Sequence, residues 1–75
     1  MVFEKIQKII AEQLGIAIEE VGMNTTFEEL GIDSLEIFEI VMSIEDEFEL
    51  EIPNEDVEKI TNVKDTVKYI ESKIN

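Results

Sequence analysis

Cysteine, histidine and arginine are all missing from this 75-residue chain, which also has a single proline and three glycines. Without cysteine there is no disulfide framework and no argument for secretion, which points to a cytoplasmic protein; any thiol chemistry must bring its sulfur from another molecule. Without histidine, a nucleophilic serine lacks its usual general base. Asp33 is too weak a base to replace it, and the lysines at positions 5, 8, 59, 64, 68 and 73 lie far from Ser34 in sequence. A hydrolase is therefore disfavoured, and the chain is not expected to be an enzyme. No D-x-[DN]-x-[DN]-G calcium loop occurs, so no metal site is expected and divalent cations would only neutralise the surface diffusely. No apolar stretch approaches the roughly 20 residues needed to span a bilayer, and Met1-Val2-Phe3-Glu4-Lys5 lacks the regions of a signal peptide. A soluble chain without membrane insertion is expected.

What the chain has in excess is acid. Nineteen Asp and Glu oppose six Lys, for a net charge of -13, and residues 9 to 58 hold 16 of the acids with no Lys or Arg. Nucleic-acid binding is disfavoured, and the field speeds encounters with basic protein partners while costing stability through self-repulsion. A hydrophobic fraction of 44% still supplies a packed core. In one domain of this size, residues 1–75, that core is worth about 3–5 kcal/mol net.

The apolar spacing predicts an all-α fold. Phe3, Ile6, Ile10 and Leu14 form the inner face of a first helix, which Gly15 stops. From Gly15 to Asp33 a 19-residue connection has no period, yet Ile16, Ile18, Val21, Phe27, Leu30 and Ile32 are spaced to pin it onto the helices. Asp33 and Glu36 have the form of a capping box for a second helix running to about Leu50. Ile52 before Pro53 is biased to extended geometry, and Asn54 then caps a short third helix through about Lys59. Asn62, with Asp65 three residues on, caps a last helix that buries Val63, Val67, Ile70 and Ile74. The expected architecture is a four-helix up-down bundle with a long first loop.

The second helix has two apolar faces. At about 100° per residue, Ile37, Ile40, Val41, Ile44 and Phe48 fall in one core-facing stripe. Leu35, Phe38 and Met42 fall elsewhere, among Glu39, Glu45, Asp46 and Glu49. One alternative packs them beneath the loop. The functional reading makes them a docking strip in which apolar contacts supply affinity and the surrounding carboxylates set orientation and on-rate.

Ser34 stands at the start of this helix, where unpaired amides and the helix dipole favour an anion such as a phosphate ester. The plain alternative is a capping residue with no further role. Here the sequence carries a resemblance. Leu30-Gly31-Ile32-Asp33-Ser34-Leu35-Glu36, followed by Glu39-Ile40-Val41-Met42 and Phe48-Glu49-Leu50-Glu51-Ile52-Pro53, resembles the acyl carrier proteins of dissociated fatty-acid synthesis. Ile9-Ile10, Glu12-Gln13-Leu14-Gly15, Glu58-Lys59-Ile60-Thr61 and Tyr69-Ile70 extend the likeness over nearly the whole chain. Two departures are visible: Glu36 stands where the fatty-acid type usually has Asp, and the loop before Gly31 is one residue shorter than the commonest form.

The resemblance implies that Ser34, flanked by Asp33 and Leu35, receives 4′-phosphopantetheine from coenzyme A through a separate phosphopantetheinyl transferase. The arm's thiol would then carry growing acyl chains as thioesters to fatty-acid synthesis enzymes with basic docking patches. The family's recognition positions on this helix correspond to Asp33, Glu36, Phe38, Glu39, Met42, Glu45 and Asp46, with Ile52, Glu55 and Asp56 nearby. An acyl chain would lie among Ile37, Val41, Ile44, Ile52, Val57 and Ile60. A monomer is expected. Other readings are a polyketide, peptidyl or D-alanyl carrier and, from a different class, an acidic interaction module without a prosthetic group.

Overall fold

The computed structural model describes residues 1–74. Four α-helices, α1 (Val2–Leu14), α2 (Ser34–Phe48), α3 (Asn54–Val57) and α4 (Val63–Ile74), form a bundle, with a short 3-10 turn at Ile18–Glu20. The closest helix packing is of α1 against α4 and α2.

Helix α1 buries Ile6, Ile10 and Ala11, and half-buries Phe3, Ile9 and Leu14 at the edges of that stripe. It ends where the spacing predicts. Gly15 adopts the left-handed conformation (φ 68, ψ 37), and its N–H donates back to the Ala11 carbonyl. A residue with a Cβ would be strained there, which is why glycine closes the helix.

The long loop is held by its own contacts. Gln7 Nε2 on α1 donates to the carbonyls of Ile18 (3.1 Å) and Val21 (2.7 Å). Val21 and Phe27 are buried, and Ile16, Leu30 and Ile32 pack partly against the core. Ile18 departs from expectation: it is 41% exposed, because the 3-10 turn places it on the outside. At the far end of the loop Phe27 N–H donates to the Thr61 carbonyl (3.0 Å) and Val63 N–H to the Thr25 carbonyl (3.0 Å). This antiparallel bridge fixes the loop to the junction between α3 and α4.

Helix α2 buries Ile40, Val41 and Ile44, while Ile37 and Phe48 flank them half-buried. It stops two residues short of Leu50, because Glu49 turns into the left-handed region (φ 53) and the chain swings back to half-bury Leu50 and bury Ile52. Helix α3 also differs from expectation. Pro53, extended at φ -60 and ψ 148, is its N-cap; Asn54 is already the first helical residue and makes no capping bond. After Val57 the turn tightens, with Lys59 N–H donating to the Asp56 carbonyl and Ile60 N–H to the Val57 carbonyl, so the regular helix ends before Lys59. Helix α4 starts as predicted: Asn62 Oδ1 accepts from Asp65 N–H at 2.8 Å. It buries Val63, Thr66, Val67 and Ile70. Ile74, expected in the core, lies in the last turn beyond it and is 47% exposed. Thr66 takes the inner position instead, its hydroxyl satisfied by the Asn62 carbonyl at 2.8 Å.

Candidate functional site

The site is built by the turn that launches α2. Gly31 has φ +69, and nothing within 4 Å would meet a Cβ there, so backbone conformation rather than space selects glycine. Gly31 N–H donates to the Glu28 carbonyl and Ile32 N–H to the Phe27 carbonyl, which brings Asp33 into an extended N-cap position. The predicted capping box forms: Asp33 Oδ1 accepts from Glu36 N–H (2.8 Å), and Glu36 Oε1 accepts from Asp33 N–H (3.3 Å). Asp33 is thereby committed to the Glu36 amide. The amides of Ser34 and Leu35, which have no intrahelical partner, remain at the positive end of the helix.

Ser34 is the first residue of α2 and is exposed. It opens onto a cleft of about 270 Å³ lined by Ile37 and Phe38 from α2 and by Val57, Glu58, Ile60 and Thr61 from α3 and the turn after it. An adjoining cleft of about 310 Å³ shares Ile37, Ile60 and Thr61 and adds Phe27, Glu28 and Ile32. Of the six residues expected around an acyl chain, Ile37, Val57 and Ile60 line the cleft beside Ser34. Val41, Ile44 and Ile52 are buried in the core and line neither cleft. Phe27, Glu28, Ile32, Glu58 and Thr61 were not anticipated from sequence; the Thr26–Asn62 bridge, for which periodicity gives no signal, sets Phe27 beside Thr61.

Leu35, Phe38 and Met42 are 70%, 45% and 57% exposed, so they are not packed beneath the loop. Glu39 and Asp46 are exposed on the same helix, Glu39 Oε1 accepting from Gln13 Nε2 of α1 at 3.3 Å, and Glu55 is exposed at the start of α3. Three other members of the expected docking set are engaged within the fold. Glu36 is in the capping box, Glu45 Oε2 accepts from Ile52 N–H at 2.7 Å, and Asp56 Oδ2 accepts from the Tyr69 hydroxyl at 2.6 Å. Ile52 itself is only 6% exposed and offers a partner little surface. Tyr69 is the residue the sequence reading missed, although a lone tyrosine beside a buried Ile70 in so acidic a chain is a signal for such a bond.

Electrostatics follow from these placements. Asp56 is held below its ordinary value of 3.8, first by the Tyr69 hydrogen bond and then, against the opposing effect of desolvation, by the ammonium groups of Lys59 and Lys73. Burial foremost, with the Asp56 bond and charge, pushes the Tyr69 phenol up to about 12. Among the described residues no three acidic side chains converge closely enough to hold a metal ion.

The geometry suits a phosphodiester on Ser34: an accessible hydroxyl, free amides at a helix N-terminus, and an apolar cleft alongside. The family model for the phosphopantetheine attachment site matches residues 4–70. The acyl carrier protein of Clostridium acetobutylicum is 49% identical over 73 residues, covering 96% of this chain and 95% of that protein. This chain therefore belongs to the phosphopantetheine-attachment family and, within it, to the acyl carrier proteins, which are carriers on a prosthetic group rather than enzymes.

Proposed function

We propose that Ser34 is the point at which 4′-phosphopantetheine is attached, and that the chain carries growing acyl groups as thioesters in dissociated fatty-acid synthesis. The observation that carries this reading is the position of Ser34, exposed at the first turn of α2 and opening on the apolar cleft. Its hydroxyl oxygen would take the phosphopantetheinyl phosphorus from coenzyme A, releasing the adenosine bisphosphate, with the proton accepted by the transferase because this chain has no histidine to take it. The bound arm supplies the thiol that a cysteine-free chain lacks. The start of α2 holds the phosphate at its positive end, and Ile37, Val57 and Ile60 offer an acyl chain an apolar wall.

The docking surface is the exposed face of α2. Leu35, Phe38 and Met42 form an apolar strip, with Glu39 and Asp46 beside it and Glu55 on α3. A transferase or synthesis enzyme with a basic patch fits that surface, since charge complementarity steers encounter and an apolar centre holds the complex. The chain would act as a cytoplasmic monomer of one domain.

The test is to load the chain with the arm and supply malonyl-coenzyme A, a malonyl transferase and the purified condensing and reducing enzymes of a dissociated system. Stepwise growth of an acyl thioester on the chain is expected. Refusal by that system, with acceptance of an amino acid from an aminoacyl adenylate, would move the protein to the peptidyl or D-alanyl carriers.

A further inference from the structure

The two walls of the cleft beside Ser34 are not held alike. Ile37 and Phe38 stand on α2, which buries Ile40, Val41 and Ile44 and packs against α1. The opposite wall, Val57, Glu58, Ile60 and Thr61, is α3 with its following turn. Helix α3 is four residues long. A single turn has no stability of its own, so α3 persists only through what holds it. Val57 and Ile60 are buried anchors. At one end Ile52 N–H is fastened to Glu45, and at the other the Thr61 carbonyl is fastened to Phe27 N–H. Between those ends the side-chain tie to a neighbouring helix is the Tyr69 hydroxyl donating to Asp56 Oδ2 at 2.6 Å. Lys59, 3.7 Å from Asp56 Oδ1, belongs to the same segment and cannot tether it outward. Tyr69 is a fixed post, since α4 packs along α1 and buries Val63, Thr66, Val67 and Ile70.

We propose that the Tyr69–Asp56 hydrogen bond is the tie that holds α3 closed on the cleft and thereby sets which acyl chains the cleft admits. A closed α3 makes this bond, and an α3 swung out on its two ends does not. Removing the bond therefore shifts the balance toward the open form, which gives a longer chain access past Val57 and Ile60. The link to cargo rests on the reading of Ser34 as the acyl attachment point; the mechanical claim does not.

Residue-resolved amide hydrogen exchange on the unmodified full chain tests the mechanical claim. Tyr69→Phe keeps the ring and deletes the donor, and is expected to speed exchange across residues 54–61 by about tenfold, with α1 unchanged. Asp56→Asn keeps an acceptor oxygen and should speed it less than Asp56→Ala. Equal acceleration throughout the chain, or none in that segment, overturns the tie. The cargo claim is read from hydroxylamine cleavage of fatty acyl thioesters of increasing length on the loaded chain. In Tyr69→Phe, long-chain thioesters are expected to be cleaved several-fold more slowly than in the wild type. Identical length profiles overturn the sorting role. A wild-type rate independent of chain length overturns the cargo reading and the sorting role together, and leaves the exchange result to decide the tie.

Discussion

The backbone N–H of Ile52 donates to Oε2 of Glu45 at 2.7 Å, joining the last turns of α2 to the segment that enters α3. Ile52 is buried, so its amide has little access to water once that acceptor is lost. Glu45 therefore serves the fold as well as the acidic surface. Glu45→Ala is expected to cost about 1–3 kcal/mol, most of it from leaving that amide unpaired, and Glu45→Gln to recover much of the loss. Asp46→Ala, on the neighbouring exposed carboxylate, should change stability by less than about 0.5 kcal/mol. Thermal melts of the three variants check this; equal effects at positions 45 and 46 would contradict it.

The tie between Tyr69 and Asp56 also gives stability a dependence on pH at both extremes. Tyr69 has its phenol pKa raised from 10.0 to about 12, so the native state holds that proton more tightly than the unfolded chain. Its contribution is whole below pH 10 and is lost as pH rises from 10 through about 12. Asp56 is lowered from 3.8, so its contribution is present above 3.8 and is lost as pH falls through the folded value. Subtracting the melting curve of Tyr69→Phe from that of the wild type isolates the alkaline arm from lysine titration. The difference should shrink between pH 10 and 12, and a constant difference would show that the phenol proton plays no part.

Partner binding should separate the exposed strip from the buried Ile52. Met42→Ala should raise the off-rate of a partner enzyme while leaving stability within about 0.5 kcal/mol. Glu39→Lys or Asp46→Lys should slow association and flatten its dependence on salt, because the stretch from residue 9 to 58 has no positive side chain. Ile52→Ala, by contrast, should cost about 2–5 kcal/mol of stability, so that any loss of binding follows loss of fold. Stopped-flow association measured over a range of salt, alongside melts, tells these apart. Unchanged kinetics in all three exposed variants would place the docking face elsewhere.

The features read correctly from sequence are those with a local cause. Gly15 ends α1 because its φ is positive, and the Asp33–Glu36 and Asn62–Asp65 pairs start helices because each acceptor lies within reach of an amide three residues away. The exposed strip of Leu35, Phe38 and Met42 was legible for the same reason, since angular position on one helix needs no partner to define it. What escaped depended on neighbours. Periodicity marks Ile74 as inner but cannot tell where α1 ceases to cover α4. Asn54 is a good capping type, yet Pro53, itself extended, occupies that place and Asn54 is already helical. Nor does sequence distance reveal that Glu45 reaches across to the amide of Ile52. The second half of the cleft wall, and the tyrosine that ties α3, come from contacts between segments more than ten residues apart.

The central claim is that Ser34 carries the prosthetic arm, and intact mass tests it most directly. The chain is incubated with coenzyme A, Mg2+ and a phosphopantetheinyl transferase, and weighed before and after. The wild type is expected to gain the mass of one phosphopantetheine, localised by fragmentation to Ser34, and Ser34→Ala to gain none. A Ser34→Ala chain that still gains the arm, or a folded wild-type chain that never does, would contradict the account.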